Sequence, residues 1–337
     1  MSARPPLGDN PRIAAILPAR DEAATIVDAV SSIQRQTRAV DAIVIAAADP
    51  ETRAAASSLA AGDPRIQVID NPHGGTSAGL NAAAAAVDAD VLVRVDGHAV
   101  LPADYVETAL DVLTDTGAAN VGGRQVPAAD NGFAHAVAVA MRTPIGSGNA
   151  MYRAGTSAGP ADTVYLGVYR RDAFDDVGGF DVAFVRNQDA ELNARLRAAG
   201  DTVWFDPRLA VTYRPRDTIA GLAAQYFGYG RWRRATVGRH LASLRLRQIA
   251  APLLVAGLLV AVVTSVALGT PWPVVVVAGG YGCAMVVAGL GIAHRPIVGL
   301  QVAAALATMH LTWGFGFLVG PPRRAWRAAT VPRPPSD

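Results

Sequence analysis

Short apolar runs alternate with amphipathic or small-residue segments over the first hundred residues of the chain. The segments between the runs predict helices at 22–36, 51–61 and 77–87. Because the runs are apolar at nearly every position, we expect their strands to lie in a mostly parallel sheet that is covered on both faces. The pattern is therefore typical of an α/β fold. The predicted strands are 13–17, 42–46, 66–69 and 91–95.

Polar residues follow each of these predicted strands. Parallel strands end at the same edge of a sheet, and ligands of such sheets bind beyond the carboxyl ends of the strands. We therefore expect a ligand site at this edge. The polar groups there are Arg20-Asp21-Glu22, Asp49, Asn71 and Asp96-Gly97-His98.

Residues 100–217 show a mixed pattern. It predicts helices at 105–113 and 188–199 and short strands at 118–121 and 203–205. We expect this region to complete one globular domain over residues 12–217, preceded by a flexible tail at 1–11.

The character of the chain changes after residue 217. Residues 219–237 are apolar and aromatic on one side of a predicted helix, with Arg231, Arg233 and Arg234 on the other. Such a helix is typical of the membrane interface. We expect amphipathic interface helices over residues 218–248.

Three uncharged apolar runs follow, at 249–268, 273–293 and 297–320. Each is long enough to cross the hydrocarbon core of a bilayer. Buried helices of a soluble domain are the alternative, but three such runs in succession are rare in soluble folds. We therefore predict a transmembrane segment over residues 249–320.

The number of spans stays open between two and three. Arginines at 239–247 precede the first run, which favours a cytoplasmic start, and arginines at 323–327 follow the last run. Three complete spans would place the second group outside, against the positive-inside tendency. One run is then re-entrant or interfacial, or the tendency does not hold for this chain.

Charge is distributed unevenly along the 337 residues. The net charge is only +2, but residues 1–217 hold 27 acidic side chains and 19 arginines, and residues 218–337 hold 11 arginines and one acid. An acidic domain joined to a basic, apolar region and a basic tail at 321–337 fits a protein that rests on anionic membrane lipids. It does not fit nucleic-acid binding, because the arginines flank apolar runs.

The N-terminal residues predict where the domain resides. Residues 1–12 are polar and proline-rich, and the first apolar run is too short for a signal-peptide core. The single cysteine, Cys283, excludes a disulfide framework. We expect a multi-pass protein of the inner (plasma) membrane with its globular domain in the cytoplasm.

Four segments of the sequence have the residues of known motifs: Leu17-Pro18-Ala19-Arg20-Asp21-Glu22, Asn71 to Asn81, Val95-Asp96-Gly97-His98 and Arg186-Asn187-Gln188-Asp189-Ala190-Glu191-Leu192. In order and spacing they resemble the motifs of the family 2 glycosyltransferases of GT-A fold. The Asp-Gly-His sequence, the Asn-Gln-Asp sequence and the C-terminal membrane segment together look closest to the ExoA-like branch of succinoglycan biosynthesis. The resemblance implies a Rossmann-like domain that binds a nucleotide sugar.

The chain departs from the family pattern at two positions. The second strand is followed by Ala47-Ala48-Asp49, with one acid where the family usually has two, and His98 stands where a second metal-binding acid is usual. Imidazole binds Mn²⁺ or Mg²⁺ without adding negative charge. The resemblance still implies a divalent metal held by Asp96 and His98. An ordinary Asp-Gly turn is the alternative.

The resemblance also implies contacts to the sugar donor. Loop polarity alone is the alternative explanation for the charged members of this set, and a simple turn is the alternative for Gly75. The implied donor contacts are Pro18, Arg20, Glu22, Asp49, Gly75 and Asp96.

Asp189 is the candidate catalytic base, which would take the proton from the acceptor hydroxyl. One carboxylate and one displacement invert the anomeric carbon, whereas retention needs a second nucleophile. Glu191 is the second candidate for the base or for an acceptor contact. Alternatively, Asp189 only decorates the start of a helix, where acids are favoured.

Gln225 and Tyr229-Gly230-Arg231-Trp232 resemble the Gln-x-x-Arg-Trp region of membrane members of the family. The resemblance implies a lid or acceptor site with Gln225, Arg231 and Trp232. An interface anchor, with Trp232 at headgroup depth, is the alternative.

Together these features predict an inverting, metal-dependent hexosyltransferase. The expected reaction moves a glucose-like hexose from a UDP-sugar to a polyprenyl-diphosphate-linked glycan, in exopolysaccharide or cell-envelope synthesis. A polyprenyl-monophosphate sugar synthase is one alternative. A non-catalytic membrane scaffold with a degenerate nucleotide-sugar fold is another.

Overall fold

The structure is a computed structural model that describes residues 4–148 and 150–322. Most of the predicted basic tail at 321–337, including Arg323, Arg324 and Arg327, lies outside the described residues. So do the first three residues of the predicted N-terminal tail. The rest of the chain falls into two compact units. The first comprises 4–126 and 155–212, and the second comprises 127–148, 150–154 and 213–322.

The first unit is built on a single sheet of eight strands. The spatial order is β3-β2-β1-β4-β7-β5-β8-β6, with β1 to β4 parallel and β7 antiparallel to both of its neighbours. The predicted α/β fold with a mostly parallel sheet is thus confirmed. The strands are β1 Ile13–Ala19, β2 Ala42–Ala47, β3 Ile66–Asp70, β4 Val91–Arg94, β5 Asn120–Pro127, β6 Gly159–Pro160, β7 Tyr165–Arg170 and β8 Val203–Tyr213.

Helices connect the strands of the first unit and form most of the second. They are α1 Ile26–Gln34, α2 Pro50–Ala60, α3 Thr76–Ala85, α4 Tyr105–Thr116, α5 Gly132–Met141, α6 Pro144–Ser147, α7 Met151–Ala154, α8 Arg171–Asp176, α9 Gln188–Ala198, α10 Ile219–Arg239, α11 Ala250–Leu268, α12 Trp272–Ile292 and α13 Pro296–Val319.

The central strand β1 shows why the apolar runs form this sheet. All seven of its residues are buried, because β2 and β4 flank it and helices cover its faces. On α1, the residues Ile26, Val30 and Ile33 lie on one face and belong to the same core. Burying this apolar surface is the main force that stabilises the sheet.

Strand β7 is absent from the sequence-based prediction. It inserts between β4 and β5, although β4 and β5 are much closer to each other in sequence. Its apolar pattern is short and is interrupted by Gly167, and Leu166 takes a positive φ of 45°. The short apolar run with its glycine does not indicate a strand in the sequence. Pairing with β4 and β5, which are distant in sequence, stabilises the strand.

The second unit contains the three apolar C-terminal helices that the sequence predicted. The spans Leu246–Leu268, Trp272–Ile292 and Pro296–Val319 are long and apolar enough to cross a membrane. On α10, Gly230 lies against the backbone of Trp313, and on α13 Gly316 lies against the backbone of Phe227. Side chains at these two glycines would collide with backbone, so α10 and α13 pack closely only because both are glycine.

Arginines on α10 bind the C-terminal end of α13. Arg231 Nε donates to the Gly320 carbonyl at 2.8 Å, and Arg234 donates to the carbonyls of Phe317 and Leu318. The last carbonyls of a helix have no intrahelical partner, and cationic side chains satisfy them. Two of the arginines expected to face the membrane interface thus contribute to packing within the second unit.

Candidate active site

Asp49, two positions after the end of β2, holds the loop that follows β1. Asp49 Oδ1 accepts a hydrogen bond from the Thr52 backbone N–H and caps α2, while Asp49 Oδ2 accepts from the Asp21 backbone N–H, both at 2.8 Å. These two hydrogen bonds lower the pKa of Asp49. Asp21 has a positive φ of 56°, and α1 begins only at Ile26. Asp49 therefore shapes the loop that carries Arg20 and Glu22.

Glu22 faces the Asp96-Gly97-His98 segment. Its Oε1 lies 2.6 Å from His98 Nδ1, and its Oε2 is buried without a hydrogen-bond partner among the described residues. A side chain at Gly97 would collide with that Oε2 atom. The ends of β1 and β4 thus meet, as the parallel sheet predicted.

Arg94, the last residue of β4, bridges two carboxylates that are far apart in sequence. Its Nη2 lies 2.9 Å from Asp96 Oδ1, and its Nη1 contacts Asp189 Oδ1. Asp189 lies in the first turn of α9. The candidate metal ligand Asp96 and the candidate base Asp189 therefore share one guanidinium.

The electrostatics of this trio follow from burial. The Arg94 side chain is only 6% exposed, against 19% for Asp96 and 31% for Asp189. Burial alone would lower the pKa of Arg94, but the carboxylates of Asp189 and Asp96 raise it overall. Desolvation raises the pKa of Asp189, and the Asp96 carboxylate adds to this increase, while Arg94 opposes it. A carboxylate with a raised pKa is a stronger base than a solvated one.

Glu191, the second candidate for the base, has a different environment. Its side chain is fully buried, and its carboxylate pairs with Arg195 one turn further along α9 at 2.6 Å. Arg195 Nη1 also donates to the Val177 carbonyl. The i,i+4 pair stabilises α9 internally. Of the two acids, Asp189 is the one that contacts Arg94.

Two residues of α3 hold the loop before α9. Asn81 Nδ2 donates to the Phe180 carbonyl at 2.8 Å, and the Phe180 N–H donates to Asn81 Oδ1 at 2.9 Å. Ser77 Oγ donates to the Phe184 carbonyl at 3.0 Å. The motif at 71–81 thus anchors the segment that leads to Asp189.

The remaining predicted donor residues lie around the Gly74–Gly75 turn. Arg20 Nη1 donates to the Gly74 carbonyl at 3.3 Å, and Asn71 Nδ2 donates to the Gly75 carbonyl at 3.1 Å. On the other side of this turn, Gly79 of α3 lies against Pro18 and Asn71. The close approach explains why the motif has glycine at position 79.

Comparisons with known proteins decide the family. Residues 14–178 match the model of glycosyl transferase family 2. Over 313 residues the chain is 34% identical to the succinoglycan biosynthesis protein ExoA of Rhizobium meliloti (strain 1021), which covers 90% of this chain and 92% of that protein. The chain belongs to the family 2 glycosyltransferases. The resemblance seen in the sequence, including the likeness to ExoA, is thereby confirmed.

A solved structure of another protein has a fold similar to that of this glycosyltransferase. The mannosyltransferase PcManGT from Pyrobaculum calidifontis, in complex with GDP-Man and Mn²⁺, superimposes with a TM-score of 0.58 at 15% identity, covering 91% of this chain and 89% of that one. The GT-A fold expected from the motifs is confirmed.

Asp96 and His98 carry donor atoms of the types that bind divalent cations. Among the described residues, no three His, Cys, Asp or Glu side chains form a metal-binding group. However, the hydrogen bond to Glu22 favours a proton on His98 Nδ1, which leaves the lone pair on Nε2, as in metal-binding histidines. A divalent ion held by one or two protein groups takes its other ligands from substrate phosphates. Asp96 and His98 fit that arrangement.

The predicted lid residues of the glycosyltransferase belong to the second unit. Gln225 Nε2 donates to the hydroxyls of Tyr213 and Tyr229, and Trp232 is 8% exposed within the packed part of α10. Arg231 also stacks over Phe227, with 5.4 Å between the guanidinium carbon and the ring centroid. Their predicted roles in acceptor or donor binding stay predictions.

Three residues of the site were missed in the sequence. Arg94 carries the only signal that would have revealed it, a charge at the end of the otherwise apolar strand Val91–Arg94. Buried charges are rare unless they are paired, so such an arginine points to acidic partners. Ser77 and Asn81 lie within a motif that the sequence identified, but nothing local indicates that they bind the 180–184 loop.

Proposed function

We propose that this family 2 enzyme transfers a hexose from a UDP-sugar to a polyprenyl-diphosphate-linked glycan, with inversion at the anomeric carbon. The observation that carries the proposal is the Arg94 bridge between Asp96 and Asp189. Asp96 follows β4, at the edge of the sheet where ligands bind in such folds. Asp189 lies in the first turn of α9 and contacts the same guanidinium.

Asp189 would act as the general base. As the acceptor hydroxyl attacks the anomeric carbon, its proton passes to the Asp189 carboxylate, and the bond to the leaving phosphate oxygen breaks with its electron pair. A single displacement inverts the configuration. Retention would need a second nucleophilic carboxylate, and Glu191 is already paired with Arg195.

Arg94 would act as a positioning residue in this reaction. It holds the two carboxylates at one place and compensates part of their mutual repulsion. A divalent cation held by Asp96 and His98 would supply the positive charge that stabilises the leaving diphosphate. Glu22 would orient His98 for that role through its contact with Nδ1.

Two comparisons support the substrate classes. PcManGT binds GDP-Man and Mn²⁺, which supports a nucleotide-sugar donor and a divalent ion. The relative ExoA is a succinoglycan biosynthesis protein, which supports a role in exopolysaccharide synthesis. The three apolar helices favour a lipid-linked acceptor and a multi-pass position in the plasma membrane. The arginines at 239–247, before the first of these helices, favour a catalytic unit in the cytoplasm.

The test is a transfer assay with the purified full chain in lipid nanodiscs. The enzyme is incubated with Mn²⁺, a radiolabelled UDP-hexose and an undecaprenyl-diphosphate-linked sugar, and the lipid phase is counted. We expect label in the lipid phase and, by NMR, an anomeric configuration opposite to that of the donor. Retained configuration would contradict the base assignment.

Parallel reactions separate the alternatives. Label that enters undecaprenyl monophosphate instead would show a polyprenyl-monophosphate synthase. GDP-mannose in place of the UDP-hexose tests the nucleotide. Absence of transfer with every donor, together with no Mn²⁺-dependent heat on UDP titration, would support the scaffold alternative and overturn the proposal.

A further inference from the structure

Another buried arginine lies in the second unit, in an environment that the transfer mechanism does not use. Arg153 of α7 is 9% exposed. It contacts Tyr152 of the same helix and Tyr226 of α10, and further tyrosines are linked through Gln225. We call this group the Arg153 cluster; it consists of Arg153, Tyr152, Tyr213, Gln225, Tyr226 and Tyr229.

Arg153 has aromatic and hydroxyl partners instead of a carboxylate. Its Nη1 donates to the Tyr226 hydroxyl at 2.6 Å, and its guanidinium carbon lies 5.4 Å from the ring centroid of Tyr152 and 5.7 Å from that of Tyr226. Among the described residues, no Asp or Glu pairs with it, and its buried Nε has no hydrogen-bond partner. A buried cation without an anion is costly.

The hydroxyls of the cluster add hydrogen-bond donors. The Tyr226 oxygen accepts from Arg153, and the Tyr213 oxygen accepts from Gln225 Nε2 at 2.7 Å. A hydroxyl that accepts from a nitrogen still has its own proton to donate. The Arg153 cluster is therefore rich in donors and positive charge, which is the chemistry that binds an anion.

The surroundings indicate what kind of anion this is. Tyr226 packs in one apolar cluster with Leu306 and Met309 of α13, a helix long and apolar enough to span a membrane. Tyr213 and Tyr229 pack against the same apolar side chains. An anion beside such a helix is most simply the phosphate of a lipid, and arginine matches phosphate oxygens in a planar, bidentate manner.

We propose that the Arg153 cluster binds the phosphate or diphosphate group of the polyprenyl-linked acceptor. The proposal rests on the function proposed above, because it assigns the acceptor's charged group to named residues. Arg153 supplies the positive charge, and Tyr213 and Tyr226 supply hydroxyl protons. Gln225, which the sequence predicted to contact the acceptor, orients Tyr213.

The test measures binding of undecaprenyl diphosphate to the full chain in phosphatidylcholine nanodiscs, with undecaprenol as the uncharged comparison. We expect wild type to bind the diphosphate at least tenfold more tightly than the alcohol. Arg153→Gln should weaken diphosphate binding at least tenfold and leave binding of UDP with Mn²⁺ unchanged. An unchanged affinity for the diphosphate lipid would overturn the proposal.

Arg142→Gln is the matched control. It also removes an arginine from the 127–154 segment, but Arg142 Nη2 donates to the backbone carbonyl of Pro127. We expect this variant to bind undecaprenyl diphosphate like wild type. An equal loss in both variants would show that net charge, rather than the Arg153 cluster, determines binding.

Conservative variants cover the case in which Arg153→Gln does not fold, as judged by lost UDP binding. Tyr213→Phe and Tyr226→Phe keep the rings and remove only the hydroxyls. We expect each to weaken diphosphate binding about threefold, and unchanged affinity in both would overturn the proposal.

Two competitors distinguish the sources of phosphate. Inorganic pyrophosphate tests the free anion, and nanodiscs of phosphatidylglycerol test an ordinary anionic lipid. Competition by phosphatidylglycerol as strong as by undecaprenyl diphosphate would overturn the assignment to the acceptor. If binding depends on Arg153 but wild type transfers no sugar, the proposed function fails and the anion site stands.

Discussion

Each unit of this glycosyltransferase contains a buried arginine, and the partners of the two arginines differ. Arg94 lies between two carboxylates, Asp96 and Asp189, within the first unit. Arg153 lies among tyrosines in the second unit, without a carboxylate partner among the described residues. Carboxylates of the protein balance the charge of Arg94, whereas the proposed lipid phosphate would balance the charge of Arg153.

Arg94 and Arg153 should therefore differ in how a bound ligand changes their electrostatic energy. The Arg94 trio keeps its two acids together before any substrate binds. The Arg153 cluster has an excess of donors, so a bound phosphate would improve its electrostatic energy. Four predictions test this contrast, from the largest expected effect to the smallest.

Removing the acid on one side of Arg94 should have the largest effect. We expect Asp189→Asn to lower the turnover number about a thousandfold, because the amide cannot take the acceptor proton. Affinity for the UDP-sugar should stay near that of wild type. Steady-state kinetics of sugar transfer measure both quantities.

Asp115→Asn, at an exposed position of α4, is the control and should transfer sugar normally. Turnover of Asp189→Asn close to that of wild type would remove Asp189 from the catalytic role.

Removing Arg94 itself should destabilise the first unit. Arg94→Met leaves Asp96 and Asp189 partly buried without their shared cation, which we expect to cost about 3 kcal/mol of unfolding free energy. Thermal unfolding in detergent should show the loss as a lower midpoint. The triple variant that adds Asp96→Asn and Asp189→Asn should recover most of it, and a midpoint that stays low would contradict the charge explanation.

Acid should reduce the transfer rate through the same trio. The pKa of Asp189 is raised by desolvation and by Asp96, so the base is active above that pKa and becomes protonated as the pH falls through it. Below it, the rate should fall about tenfold per pH unit. The pH profile of the turnover number should bend above the range of a solvated carboxyl group, and a bend at or below that range would contradict this prediction.

The corresponding change at Arg153 should have the smallest effect on stability. Replacing a whole buried ion pair by apolar side chains of similar volume is often neutral or stabilising, and Arg153 has no ion pair with a described residue to lose. We expect Arg153→Met to change the unfolding free energy by less than about 1 kcal/mol in the absence of lipid phosphate. A loss as large as that of Arg94→Met would show that Arg153 is already neutralised within the protein and would remove the contrast.

Much of the fold was predictable because its signals are local. The strands at 13–17, 42–46 and 91–95 were recognisable from continuous apolar runs, since a sheet covered on both faces needs apolar residues throughout. Strand β7 was not recognisable, because its short pattern includes Gly167 and its place between β4 and β5 depends on long-range pairing.

The candidate site was predictable only in part, for a similar reason. The sequence identified Asp49, Asp96 and Asp189 as candidate site residues. It did not reveal the contacts within the site: Asp49 caps α2 and holds the Asp21 loop, and Glu22 contacts His98. Such contacts join positions that no spacing rule connects.

From the sequence alone, the chain was recognisable as a family 2 glycosyltransferase with three apolar C-terminal helices, because motifs and hydropathy are read along the chain. The tertiary structure decided that Arg94, which pairs with Asp96, also contacts Asp189 across 95 positions of sequence. It also decided that Arg153 is buried without a carboxylate among the described residues. Burial and charge pairing depend on which segments the fold brings together, and the order of residues does not state this.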